Sequence, residues 1–131
     1  MWQIEFESSK FSPYLPEECQ VNPGVYGFEL AQWLSQKLAA ENVITSYPNY
    51  EDWGWFLEYS QNEIDFMICC GSMSEPEEGS SNQPITWTIY IEPHLTLSQK
   101  LKHVSGESIV QNLGAQIIKI LEQDGIQVRQ H

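Results

Sequence analysis

Basic residues are scarce in this chain. Its 131 residues include six Lys or Arg against 18 Asp or Glu, a formal net charge of −12. A field of that sign repels phosphate backbones and anionic membrane surfaces while accelerating encounter with basic partners, which argues against direct nucleic-acid or membrane binding. Metal-ligand spacing is missing as well. His94, His103 and His131 lie far apart and no CxxC, HxxxH or HExxH occurs, so no dedicated metal site is expected. Glu75, Glu77 and Glu78 lack the alternation and the glycine of a calcium loop. Gly24 and Gly27 follow no strand of a phosphate-binding motif, and no cofactor is implied. No apolar run approaches membrane-spanning length. The first residues, MWQIEFESSK, alternate where a secretory leader would place a basic segment and an apolar run. Of three cysteines, Cys69 and Cys70 are adjacent, with Cα atoms about 3.8 Å apart, below the usual disulfide range. Together these features predict reduced thiols and a bacterial-type cytoplasmic setting.

What is present suits one folded unit. Hydrophobic residues make up 41% of the chain and aromatics 12%, which supports a single core and is far from the composition of a disordered chain. One compact α+β domain over residues 1–131 is expected. The acidic excess is uneven. Residues 1 to 92 hold fifteen of the acids against Lys10 and Lys37, whereas residues 93 to 131 are nearly balanced. Such a field either recognises a basic partner or keeps a small protein soluble.

Trp2, Ile4 and Phe6 alternate with Gln3, Glu5 and Glu7, the period of a half-buried strand. After a Pro- and Glu-rich loop, Asn22-Pro23-Gly24 reads as a helix start. The following VYGFELAQWLSQKLAAEN puts Tyr26, Leu30, Trp33, Leu34 and Leu38 on one arc, with Glu29, Gln32, Ser35 and Gln36 opposite. Val43 to Thr45 could form a short strand before YPNY turns the chain. Next, Trp53, Trp55, Leu57 and Tyr59 alternate with Gly54, Phe56 and Glu58, and Gln61-Asn62 reads as a turn. Ile64, Phe66, Ile68 and Cys70 then alternate with Asp65, Met67 and Cys69, and ITWTIYIE repeats the pattern with Ile85, Trp87, Ile89 and Ile91 on one side. Three such runs predict an antiparallel meander with one covered face. A second amphipathic helix follows in SGESIVQNLGAQIIKILEQDG, with Ser105 placed to cap its start and Gly125 its end. Gly114 near its apolar arc suggests a close crossing of the sheet. The expected fold is a single antiparallel sheet of about four to five strands with two amphipathic helices packed on one face. Residues 71–84, GSMSEPEEGSSNQP, have no periodicity and read as a mobile acidic loop and candidate contact element.

The search for chemistry yields little. Gly106-Glu107-Ser108 begins like a nucleophile elbow, but Val110 stands where the motif needs glycine. Glu51-Asp52, inside NYEDWGWFLEY, places two carboxylates beside aromatics; neighbours in a strand point to opposite faces, whereas paired acids of sugar-cleaving enzymes work across a bond from separated positions. No catalytic residue is assigned. Trp53 and Trp55 are spaced to enter the core together, with Gly54 between them marking a bulge or a close backbone approach.

NPGVYGFELAQWLSQKL, NYEDWGWFLEY and WTIYIEP, in that order and spacing, resemble a group of small, acidic, uncharacterised bacterial proteins. That group shares an NPG helix start, an EDWGW-type strand and a later strand ending in Glu-Pro, and the resemblance covers roughly residues 22 to 93. It implies a compact bacterial domain and carries no mechanism with it.

Three readings follow. The first is a non-catalytic binding protein, an immunity protein or inhibitor that neutralises a basic partner, with Tyr50, Glu51, Asp52, Phe56, Glu58, Glu75, Glu77 and Glu78 as the contact residues. The second is a small-molecule or peptide binding module, with the aromatic sheet or its Gly54 gap forming a pocket. The third is an enzyme using isolated carboxylates. Only the first uses the charge.

Overall fold

A computed structural model describes residues 2–13, 16–19, 26–73 and 84–130 of the chain. Its centre is one six-stranded sheet, every neighbouring pair antiparallel, in the order β2-β3-β4-β5-β1-β6. The strands are β1 (Trp2–Ser8), β2 (Asn49–Glu51), β3 (Gly54–Gln61), β4 (Ile64–Ser72), β5 (Ile85–His94) and β6 (Arg129–Gln130). The helices are α1 (Phe28–Ala40), α2 (Leu97–Leu101) and α3 (Glu107–Gln123), and a 3₁₀ turn covers Glu17–Cys19. The fold is the expected α+β arrangement, with more strands than the four to five anticipated. Among the described residues no helix is long and apolar enough to cross a membrane.

Alternation decides which face is covered. Ile4 pairs with Ile89, which pairs with Cys70, which pairs with Trp55; Trp2, Ile91, Ile68 and Leu57 form the next row. Both rows are buried and face the helices, α1 over β3 and β4, α3 over β5 and β1. Burying each such side chain stabilises by about 1.5–3 kcal/mol, so several of them outweigh any slipped register. On α3 the buried residues Ile109, Val110, Leu113, Ile117, Ile120 and Leu121 form its apolar arc, as an amphipathic helix requires.

All three helices end alike. Asn42, His103 and Gly125 take left-handed φ values of 66°, 57° and 81°, and the next residue donates back into the last turn, Val43 to Leu38, Val104 to Gln99 and Ile126 to Leu121. This is the Schellman closure, which satisfies orphan carbonyls. At the other end of α3 the Ser105 hydroxyl accepts the Glu107 N–H at 3.2 Å, although the capping position itself is Gly106.

Several local expectations change. Val43 to Thr45 form no strand; Ser46 instead donates its N–H to the Glu58 carbonyl, and its hydroxyl accepts from the Glu58 N–H. The β3–β4 turn is Asn62-Glu63, one residue later than anticipated, with positive φ at both positions, the geometry of a type I′ hairpin. Helix α1 begins at Phe28 with Gly27 at the cap, and Asn22-Pro23-Gly24 lie outside the described residues. Glu29, expected on the polar side, is buried. It sits in the first helical turn, where the helix dipole favours a carboxylate, in a recess shared with Lys10, Phe11 and Trp33. The segment taken as a loop from residue 71 begins inside β4, which runs to Ser72, and Met73 still donates to Thr86.

Gly114 is the close crossing. A Cβ there would fall inside van der Waals contact with Nε1 and Cε2 of the buried Trp2 indole. Gly114→Ala therefore sets a gain of up to about 1 kcal/mol in helix propensity against about 1–3 kcal/mol of overpacking. Net destabilisation is expected in urea titration, with part of it relieved when Trp2→Phe is added. Glu63→Gly should do the reverse. An L-residue in the left-handed region costs roughly 1–2 kcal/mol and glycine gives back roughly 0.5–1 kcal/mol in backbone entropy, so a higher urea midpoint is expected.

Candidate functional site

No described helix packs on the opposite face of the sheet, and the register lays out its side chains as a grid. Phe56, Cys69, Tyr90 and Gln3 form one row across β3, β4, β5 and β1. Glu58, Met67 and Glu92 form the next, and Ser60, Asp65 and His94 the third. Toward the other end, Glu51, Gly54, Gly71, Thr88, Glu5 and Arg129 span the whole sheet.

Trp53 was expected in the core beside Trp55, and here the structure departs most. Glu51 pairs with Gly54 across a two-residue turn made of Asp52 and Trp53, so alternation breaks before Gly54 and the two tryptophans part. Trp55 enters the core at 7% exposure, whereas Trp53 stays 42% exposed. Its ring lies 6.2 Å from Phe56 and 5.8 Å from Tyr90, measured between centroids. These three rings form a shelf on the uncovered face; its Phe56 ring and the neighbouring Cys69 are buried although no described helix covers them. The turn closes tightly at Gly54, where a Cβ would approach the Cys70 carbonyl oxygen to 2.8 Å.

Beside the shelf lies a concavity of about 370 Å³ lined by Glu51, Phe56, Glu58, Ser60, Asp65, Met67 and His94, with Tyr59 and Phe66 of the same strands also in its lining. Ser60 donates to Asp65 Oδ1 at 2.6 Å, and His94 Nε2 stands 3.7 Å from Glu92 Oε2. Serine, aspartate and histidine thus share a row, yet the carboxylate, not the imidazole, takes the serine hydrogen. A nucleophile needs the base against its hydroxyl, and this order does not supply it.

The thiol under the shelf is inert by environment. Burial pushes Cys69 up to about 12, opposed by a hydrogen bond that the Tyr90 hydroxyl donates to it and reinforced by the nearby Glu92 carboxylate. Burial likewise raises Tyr90, as does the adjacent Cys69, and burial raises Cys70 on the core side. These are protected groups, not activated nucleophiles.

Of the anticipated contact residues, the structure brings Glu51, Phe56 and Glu58 onto this one face. Phe56 is its buried floor, not an exposed anchor. Asp52 sits in the turn beside Trp53. Tyr50 lies on the opposite side of the sheet, exposed but set edge-on against Trp55 at 5.7 Å. Glu75, Glu77 and Glu78 lie outside the described residues. Residues the sequence reading did not assign to the site are Trp53, Asp65, Met67, Glu92 and His94. The alternation of β4 and β5 carried the signal for four of them, but only the cross-strand register puts them next to one another.

Among the described residues no group of three or more His, Cys, Asp or Glu is arranged to hold a metal ion. Comparison with known proteins gives no match to a family model, to a curated protein or to a solved structure.

The raised thiol and phenol values set a pH dependence. Below about pH 9, the ordinary cysteine value, folded and unfolded chains both keep the thiol proton; between there and about 12 only the folded chain keeps the Cys69 proton. The folded state then binds more protons, so stability falls as pH rises above 9. Urea midpoints measured from pH 7 to 10.5 should decline over the alkaline half, and Cys69→Ala should flatten that decline without abolishing it, because Cys70 and Tyr90 act in the same direction.

Proposed function

We propose that this chain is a non-catalytic protein-binding module that captures a basic partner on the uncovered face of its sheet, in the manner of an inhibitor or immunity protein. The observation that carries it is the anatomy of that face. An aromatic shelf of Trp53, Phe56 and Tyr90 adjoins a recess with Met67 in its lining, and Glu51, Glu58, Asp65 and Glu92 stand around them. Productive interfaces combine a desolvated aromatic centre with a polar rim, and charge on that rim governs partner choice and encounter rate. The strand residues of this face carry Glu5, Glu7, Glu51, Glu58, Asp65 and Glu92, against Arg129, which lies 3.4 Å from Glu5, and His94. The surface is therefore built against an anionic partner and toward a cationic one.

The size of the recess supports a second reading. Its roughly 370 Å³ lies at the lower end of small-ligand sites, which run from about 300 to 1,000 Å³, so a small cation would fit without a protein partner. Thermal stabilisation by such a ligand alone would favour it.

The decisive comparison is capture from the native host's lysate at low salt, run in parallel on the wild-type chain and on Glu51→Lys combined with Glu58→Lys. Both residues are exposed, so the double variant should unfold within about 1 kcal/mol of wild type. A basic protein held stoichiometrically by wild type, released by salt and lost by at least tenfold in the variant is the expected result. Equal retention by both chains would remove this face from the interaction.

A further inference from the structure

We infer that the anchor of the basic partner is an arginine side chain, seated over Met67 between Glu58 and Glu92; this rests on the uncovered face being the docking surface proposed above. The row runs Glu58, Met67, Glu92 on three neighbouring strands. Two inter-strand steps of about 4.8 Å put the two glutamate Cα atoms roughly 9.6 Å apart, on either side of the methionine. Both carboxylates reach solvent, whereas Met67 is half-buried. A cation that satisfies both acids at once must therefore span a gap.

The span distinguishes the two common cations. Charge-assisted N–H···O bonds are about 2.8 Å long, and the terminal nitrogens of a guanidinium are about 2.3 Å apart with their outer N–H bonds about 30° off that line, so an arginine bridges two oxygens separated by about 7 Å. A lysine ammonium donates from a single nitrogen and reaches oxygens no more than about 5.6 Å apart. From Cα atoms roughly 9.6 Å apart, the two carboxylates lean together less to reach the first separation than to reach the second. The floor points the same way. Met67 and the adjoining Trp53 and Tyr90 rings offer flat, polarizable surface, on which the weakly hydrated guanidinium stacks and from which a compact ammonium, losing its water, gains less. Asp65, one row further along β4, adds a third carboxylate on the open side of the recess, while Glu92 Oε2 is shared with His94.

The test is isothermal titration of the full chain with octa-arginine and with octa-lysine at low ionic strength, on wild type and on the exposed variants Glu58→Gln and Glu92→Gln, each checked for an unchanged unfolding midpoint. Wild type should bind octa-arginine about tenfold more tightly than octa-lysine, and either variant should reduce that ratio to below about twofold. Binding of both peptides with equal affinity would overturn the arginine assignment and leave the docking face standing. An arginine preference that survives in both glutamine variants would also overturn it, by placing the selectivity elsewhere. If neither peptide binds wild type, the docking face and its anchor fall together.

Discussion

The period of two along β3, β4 and β5 is the constraint on which the rest of this molecule depends. Leu57, Ile68 and Ile91 are buried against the helices in one row, and each contributes about 1.5–3 kcal/mol through that burial. A slip of one residue in any of the three strands would expose its whole apolar set, so the helix-covered face holds the register with several kcal/mol per strand. Because successive side chains point to opposite faces, the same energy fixes what stands on the far side. Glu58, Met67 and Glu92 are neighbours there because their chain neighbours Leu57, Ile68 and Ile91 are neighbours in the core.

That arrangement works against the isolated domain. Two carboxylates on Cα atoms roughly 9.6 Å apart repel by about 0.4 kcal/mol at the dielectric of water and by about 1.7 kcal/mol at an effective value of 20 if their charges keep that spacing. Asp65 adds to the repulsion, and among the described strand residues on this part of the face no Lys or Arg offsets it; His94 stands 3.7 Å from Glu92. The shelf carries a second cost, since Trp53 leaves 42% of its surface in water. Neither feature contributes to the core, and both would be relieved by a cation with an apolar stem laid over Met67. A fold optimised for stability alone would place lysine or threonine in at least one of these positions, as it places Thr86 and Thr88 further along β5.

The fold was legible in the sequence wherever burial produces a period. The alternating runs of β1, β3, β4 and β5 and the apolar arc of α3 are direct imprints of one-sided packing, and they specify the covered face. Short or edge elements leave no such imprint. Strand β2 has three exposed residues, β6 has two, and α2 buries none of its five, so nothing in their composition marks them. Trp53 misled because its spacing from Trp55 matches a strand, while its conformation is set by the Asp52-Trp53 turn. Glu29 misled because helix periodicity describes one packing partner, whereas this residue is buried by its place in the first turn and by the Lys10-Phe11 stretch lying over it. The site was half legible. Glu51, Phe56 and Glu58 share one short stretch, but Met67 and Glu92 join them only through long-range pairing, which a period within one strand cannot encode.

One peptide ties the two faces together. A Cβ on Gly27, at the entry to α1, would approach the Cys70 carbonyl oxygen to 2.6 Å, and a Cβ on Gly54, at the end of the Asp52-Trp53 turn, would approach the same oxygen to 2.8 Å. Gly54 also has φ of +155°, which L-residues rarely adopt. The helix start on the covered side and the turn that carries Trp53 on the uncovered side therefore both close on a single carbonyl in the middle of the sheet. A methyl group at either position would displace that carbonyl and so disturb the other's contact, because interiors packed at this density transmit displacement instead of absorbing it. The aromatic shelf is held from behind as well as by its own rings. That contact is supplied by the same layer of packing that makes the domain fold.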